Sequence, residues 1–201
     1  MIKQQLNKNK KWIILTAILV VLSIFFIVTY NGLVSREEQV KSHWSTLQSR
    51  YQRRTDLIPN LVTVVQASAE FEKNTLLQLT EIRSKAGGLQ LSGDPTSEAY
   101  QQLEKTQGEV ANTMNQVLAV IEKYPTLKSQ TGFLRFQDQI KGTENRIRVA
   151  RSDFNASVAA YNKKVRSFPA NIAASLFGFK SKKGFQAADG ADKAPAVKFQ
   201  N

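Results

Sequence analysis

Residues 12–30 read WIILTAILVVLSIFFIVTY, without a charged residue, a glycine or a proline. A helix of this length spans about 28 Å, which matches the hydrocarbon core of a bilayer at roughly 30 Å. Trp12 and Tyr30 stand at the two ends of the run, where amphipathic aromatic rings prefer the headgroup layer. The stretch therefore predicts one transmembrane helix near the N-terminus.

The residues on either side of this run indicate how it is used. A cleaved signal peptide would have a shorter apolar core, about 7–15 residues, followed by a small-x-small cleavage site. Residues 30–34 read YNGLV and contain no such site, so we expect an uncleaved membrane helix. Residues 1–11 form a basic flank with lysines and no acid. By the positive-inside rule, this flank predicts a cytoplasmic N-terminus and a domain outside the cytoplasm.

Beyond the membrane run, apolar residues recur at heptad spacing. Val40, Trp44, Leu47 and Tyr51 step by four, three and four residues. A period near 3.5 is typical of helices that pack side by side. We therefore predict an all-α fold, in which a single transmembrane helix is followed by a long antiparallel bundle of three or four helices. The further heptad positions are Ile58, Val62, Val65 and Ala69, then Leu103, Val110, Val117 and Tyr124, then Ile140, Ile147, Phe154, Tyr161 and Phe168.

Glycine and proline residues mark the ends of the predicted helices. Pro59 lies inside a helical pattern and predicts a kink or short break near Leu57 and Ile58. Pro169 predicts the end of a last long helix that begins near Gly132 and runs to Phe168. The bundle therefore occupies residues 31–168, and residues 169–201 form a short apolar helix and a flexible basic tail. The other predicted boundaries are Gly87-Gly88, Gly93-Asp94-Pro95, with Asp94 as a helix cap, and Tyr124-Pro125.

The composition argues against most catalytic chemistry. The chain has no cysteine and a single histidine, His43, which excludes thiolate sites and makes a zinc site unexpected. It also lacks a Glu-x-x-His pair, a Gly-rich phosphate loop and a nucleophile elbow. We expect no enzymatic activity and no cofactor. The net charge of +12 would attract anionic lipid, nucleic acid or acidic partners without choosing among them, and we expect no nucleic-acid partner.

A set of polar residues near the heptad positions has two interpretations. They could form a recognition site on the bundle surface. Alternatively, they are ion pairs and hydrogen bonds within the bundle that fix the alignment of its helices, because charges near packed helices must be paired. We favour the structural interpretation, in which Asp56 caps the helix after the break and Asn155 and Asn162 make contacts between helices. The set consists of Arg53, Arg54, Asp56, Pro59, Asn60, Glu81, Arg83, Glu144, Asn145, Arg151, Asn155 and Asn162.

Several of these residues stand in motifs that resemble the LemA family of bacterial membrane proteins. The motifs are RRTDLIPNLV at 53–62, EIR at 81–83 and GTENRI at 142–147, with YNGLV at 30–34 and PAVKF at 195–199. The resemblance covers residues 30–179 and the ending. It implies a membrane helix, an antiparallel bundle and no established enzymatic activity. Thr63, Gln66 and Phe71 stand where Glu, Lys and His are common in the family, so no role of that charged group is carried over.

The resemblance also bears on function. One relative takes part in building magnetosome membranes, and other members are found near a membrane-bound metalloprotease, which is a candidate partner. The first hypothesis is a non-enzymatic scaffold or adaptor in the bacterial inner membrane that binds other membrane or envelope proteins. The second is a basic-surface binder of anionic lipid or polymer in membrane remodelling. High salt should weaken the second activity more than the first. The second hypothesis uses Lys163, Lys164, Arg166, Lys180, Lys182 and Lys183.

Overall fold

The computed structural model describes residues 2–66, 73–87, 97–125 and 129–185. These residues form helices joined by turns and coil, with no strand among them. The predicted all-α fold is confirmed. In chain order the helices are α1 (Ile2–Asp56), α2 (Ile58–Gln66), α3 (Lys73–Gly87), α4 (Ser97–Ile121), α5 (Thr131–Arg166) and α6 (Ala170–Leu176).

The first helix carries both the apolar run and the first heptads. α1 is 55 residues long and continuous. The large apolar side chains of residues 12–22 are exposed all round the helix, whereas from Leu33 onward one side is buried. By length and composition α1 is able to cross a membrane. The candidate span and the first part of the bundle therefore share one helix.

The chain divides into two compact units, of which the first combines Met1–Arg54 and Asp138–Lys182. In this unit α1 and α5 run antiparallel. The rings of Trp44 and Phe154 lie 5.6 Å apart, and Arg54, further along α1, contacts Glu144, which lies earlier on α5. Aliphatic and aromatic side chains at heptad spacing fill the space between the two helices. They include Leu33, Val40, Leu47, Tyr51, Ile140, Ile147 and Tyr161.

The second unit combines Thr55–Gln137 and Lys183–Asn201. Within it α2 packs against α3, and α3 packs against α4. Gln107 is buried at the heptad position between Leu103 and Val110, a place where the spacing alone favours an apolar residue. The ring of Tyr100 lies 5.8 Å from that of Phe185. The core also contains Leu61, Val65, Leu79, Ile82, Met114, Val117, Ile121, Phe133 and Phe136.

Most helix ends fall near the residues that predict them. α1 ends at Asp56 and α2 begins at Ile58, which confirms the break predicted near Pro59. α4 ends at Ile121, shortly before Pro125, and α5 begins one residue before the predicted Gly132. The predicted cap at Asp94 lies outside the described residues.

One heptad prediction is wrong. Phe168 continues the heptad spacing of the last long helix, which predicts a buried side chain, but Phe168 is 81% exposed. The reason lies in the backbone. α5 ends at Arg166, and Pro169 has no N–H group to continue the helix. Phe168 therefore leaves the helical register two residues before α6 begins.

Candidate functional site

A partly buried ion pair joins α1 to α5 in the first unit. Arg54 Nη1 donates a hydrogen bond to Glu144 Oε1 at 2.9 Å. The arginine side chain is 4% exposed and the glutamate side chain 45%. The guanidinium carbon of Arg54 also lies 5.3 Å from the ring centre of Tyr51, a cation–π geometry. Tyr51 and Arg54 are three residues apart and so share one side of α1.

The two partners of this pair are buried to different extents, so Arg54 depends on the contact more than Glu144 does. A guanidinium that has lost its water is tolerated only when a carboxylate and other polar groups replace that water. The planar, permanently charged arginine suits this position better than lysine. Glu144 supplies the negative charge while part of its side chain still faces solvent. The pair therefore connects α1 to α5 through a carboxylate that is still partly open to solvent.

Asn162 forms a second fixed point in the same unit. Its Nδ2 donates to the carbonyl oxygen of Lys182 at 2.7 Å, and its Oδ1 accepts from the backbone N–H of Lys182 at 2.8 Å. The side-chain amide thus satisfies both backbone groups of one residue, as a neighbouring β-strand would. The sequence predicted a contact between helices for Asn162, whereas the structure shows it holding the segment after α6.

Lys182 in turn reaches back to the first helix. Its Nζ lies 3.0 Å from Glu37 Oε1, with both side chains largely buried, and 5.7 Å from the ring centre of Tyr161. Sequence reasoning missed this pair, because Glu37 and Lys182 lie far apart in the chain and neither belongs to a motif. Lys182 belongs to the basic tail, which the sequence predicts to be flexible, yet both its main chain and its side chain have defined partners.

Glu81 pairs within its own helix. Its Oε1 lies 2.9 Å from Lys85 Nζ, and both side chains are more than half exposed. The hydrogen bond from Lys85, and then its charge, lower the pKa of the Glu81 carboxyl. The same contact raises the pKa of Lys85. An exposed pair one turn apart contributes little to stability, so Glu81 differs in kind from Glu144.

The other predicted residues lie on several helices. Asn145 accepts a hydrogen bond from Arg148 Nη2 at 2.6 Å on the exposed side of α5. Thr63, one of the departures from the LemA pattern, is exposed and donates to the carbonyl oxygen of Pro59 at 3.0 Å. Arg53, Asp56, Asn60 and Arg83 are exposed, and Pro59, Arg151 and Asn155 are half-buried.

Within the described part of the chain, no group of three or more histidine, aspartate or glutamate side chains is placed to hold a metal ion. The second unit has a shallow groove of about 260 Å³ between α3 and α4. Its lining mixes acidic, basic and amide side chains, including Glu81, Lys85, Glu109 and Asn112. Such a lining is typical of a solvated surface between two helices.

Comparison with known proteins identifies relatives that align with most of this chain. Magnetosome protein MamQ 1 of Paramagnetospirillum magneticum is 27% identical over 180 residues, which cover 80% of this chain and 65% of that protein. Magnetosome protein MamQ of Magnetospirillum gryphiswaldense is 27% identical over 190 residues, covering 83% and 70%. Protein LemA of Metamycoplasma hominis is 22% identical over 183 residues, covering 90% and 80%. The chain thus spans just under two thirds of the length of the first of these relatives.

A sequence model of the LemA family matches residues 43–199. The match begins within α1 and extends past α6, so it includes Arg54, Glu144 and Asn162. It also reaches residues 195–199, which resemble the family's usual ending. Since the match extends over well more than half of the sequence, the chain belongs to the LemA family.

Proposed function

We propose that this protein is a non-enzymatic scaffold anchored in the bacterial inner membrane, where it binds other membrane or envelope proteins through its bundle. The observation that carries the proposal is the continuity of α1. One helix of 55 residues contains an apolar run whose large side chains at residues 12–22 are exposed on all sides, and a segment from Leu33 onward that is buried on one side. The exposed run requires an apolar environment, and a bilayer supplies one.

The relatives support the same role. Two of them are named magnetosome proteins, which is consistent with a protein attached to a membrane. We carry over only attachment to a membrane, and not a role in magnetosomes, because the match covers 65% of the first relative. A membrane metalloprotease stays a candidate partner. The lysines at residues 8–11 favour a cytoplasmic N-terminus, with the bundle outside the cytoplasm.

Photo-crosslinking in intact cells tests the scaffold proposal. A photoreactive amino acid would replace Val149 on α5 or Leu77 on α3, two exposed apolar residues, and Ile18 in the apolar run would serve as the membrane control. We expect the bundle positions to form adducts with envelope proteins, and Ile18 to form adducts with lipid. Absence of protein adducts from every bundle position, with lipid adducts retained at Ile18, would refute the scaffold while keeping the anchor.

A second function is favoured by the distribution of charge near α6. Residues 163–183 contain six basic residues and no acidic one, and Lys163, Lys164, Arg166 and Lys180 are exposed. Such a surface attracts anionic lipid or polymer. The full chain in neutral nanodiscs should then capture anionic vesicles at low salt and release them near 1 M salt, where the screening length is about 3 Å. Capture that is unaffected by salt would contradict this second function.

A further inference from the structure

The short helix α6 presents large apolar side chains to its surroundings and small ones to the protein. Ala170, Ala173 and Ala174 are buried. Ile172 and Leu176, one turn apart, are 53% and 69% exposed, and Phe168 just before the helix is 81% exposed. A helix at a water-facing surface has the opposite pattern. A cluster of exposed apolar side chains of this kind marks an interaction site.

The contacts of the residues after α6 place this helix beside the end of the apolar run of α1. The ring of Phe177, directly after α6, lies 5.0 Å from that of Tyr30 and 6.4 Å from that of Phe26. Phe179 lies 5.7 Å from Tyr30. Phe26 and Tyr30 form the last turn of the apolar run. α6 is therefore held beside the point at which the candidate span ends, and not at the far end of the first unit.

Basic residues flank α6 in the chain, and one of them lies against α1 just beyond the apolar run. The stem of Lys164 lies against Gly32, since a Cβ built at that glycine would be 3.7 Å from Lys164 Cε. Gly32 is two residues beyond the apolar run, so the Lys164 ammonium sits near the level of lipid headgroups. Arg166 and Lys180, on either side of α6, are exposed as well. Phosphate groups of anionic lipids complement this charge.

We propose that α6 lies in the interface of the leaflet at which α1 leaves the membrane, with Phe168, Ile172 and Leu176 inserted among the upper parts of the lipid chains. An apolar face bordered by lysine and arginine is the usual composition of an interfacial helix. An open cavity of about 260 Å³, lined by Phe26, Ile27, Tyr30, Asn31 and Phe177, lies at the same level and can hold part of a lipid chain. The inference rests on the proposed membrane anchor.

Single-cysteine labelling of the full chain tests this placement, because the natural sequence has no cysteine. The variants Ile172→Cys and Leu176→Cys would carry an environment-sensitive fluorophore. The variant Ile18→Cys reports on the span. Val149→Cys is the matched control, because Val149 is an equally exposed apolar residue of the same unit. Each protein is placed, one chain per disc, in nanodiscs of phosphatidylcholine and phosphatidylglycerol, where no second copy or partner protein can cover α6.

We expect the labels at Ile172 and Leu176 to show blue-shifted emission, protection from iodide and quenching by nitroxides near the lipid headgroups. Ile18 should be quenched by nitroxides deep in the bilayer, and Val149 should be quenched by iodide. If Ile172 and Leu176 behave like Val149 while Ile18 remains in lipid, α6 is not interfacial and the anchor stands. A second preparation holds two chains per disc. If the emission of the Ile172 and Leu176 labels shifts only in that preparation, α6 contacts a second copy of the chain and not lipid. If Ile18 is also accessible to iodide, the anchor itself is wrong.

Discussion

Replacing Glu144 with alanine should destabilise the first unit by about 2 kcal/mol. This free-energy cost is estimated from the burial of Arg54, the partner of Glu144. Arg54 is 4% exposed and loses the carboxylate at 2.9 Å, and breaking a fully buried pair costs about 3–5 kcal/mol. The expected cost is lower here because Glu144 is 45% exposed, so water can partly replace it, and because the Tyr51 ring remains. For a chain of this size, 2 kcal/mol lowers Tm by about 4–8 °C.

The same substitution at Glu81 provides a matched control. The Glu81–Lys85 pair also has an N···O distance of 2.9 Å, but it lies within one helix and both partners are exposed. The residue replaced and the charge lost are therefore the same in the two variants, whereas the partner of Glu144 is a buried arginine on another helix and the partner of Glu81 is an exposed lysine on the same helix. Melting of the full chain in detergent, followed by far-UV circular dichroism, should show a clear decrease in Tm for Glu144→Ala and almost none for Glu81→Ala.

A double-mutant cycle separates the pair from the rest of the site. Arg54→Met retains most of the buried stem and removes the charge. Combined with Glu144→Ala, it should cost less than the sum of the two single changes, because both single changes break the same contact. Equal Tm values for Glu144→Ala and Glu81→Ala, or additive effects in the cycle, would show that the Arg54 pair does not stabilise the first unit.

Three further predictions concern removal of the apolar run, the Asn162 hydrogen bonds and the pKa of Glu81. Removal of residues 1–30 should leave a soluble, strongly helical protein, because the heptads lie outside the apolar run; far-UV circular dichroism and gel filtration measure this. Asn162→Ala should destabilise the chain by about 1–2 kcal/mol, because two hydrogen bonds to Lys182 are lost, and should speed trypsin cleavage at Lys182. The Glu81 carboxyl should titrate below its ordinary 4.5, so the pair's contribution to stability is present above that pH and is lost as the pH falls through the lowered pKa. In Lys85→Ala the pKa of Glu81, measured by NMR, should return toward its ordinary value.

Each of these predictions has a result that contradicts it. An unfolded or strand-rich spectrum for the shortened protein would be incompatible with a self-contained bundle. Asn171→Ala, an exposed asparagine on α6, controls for the change in side chain, and equal trypsin rates for Asn171→Ala and Asn162→Ala would remove the role given to Asn162. A Glu81 pKa that does not respond to Lys85→Ala would mean that the lysine is not its cause.

The sequence predicts local features of this protein well because they depend on spacing along one helix. Val40, Trp44, Leu47 and Tyr51 are all buried, as their four-three-four pattern requires. The break before Pro59 follows from proline's missing N–H group. The heptad rule fails for Phe168. A seven-residue period predicts burial only within a continuous helix, and α5 ends at Arg166.

The sequence does not predict which residues from distant parts of the chain contact each other. The sequence identifies Arg54 and Glu144 as members of one set of polar residues, but it does not say which cation meets which carboxylate. That choice depends on the register of α1 against α5, which all the intervening side chains determine together. Asn162 and Lys182 show the same limit, because an amide that holds a backbone segment has no spacing rule. The Glu37–Lys182 pair has no sequence signal at all.

The unbroken course of α1 has a mechanical consequence. From Tyr30 to Arg54 the helix rises by about 36 Å, with no proline in between. Transmembrane helices adjust their tilt to the thickness of the bilayer. A change in tilt of about 10° would carry the Arg54 end of such a lever sideways by about 6 Å if the helix stays straight. If α1 crosses the bilayer as proposed, a thicker or thinner membrane would therefore displace the Arg54–Glu144 pair by several ångströms.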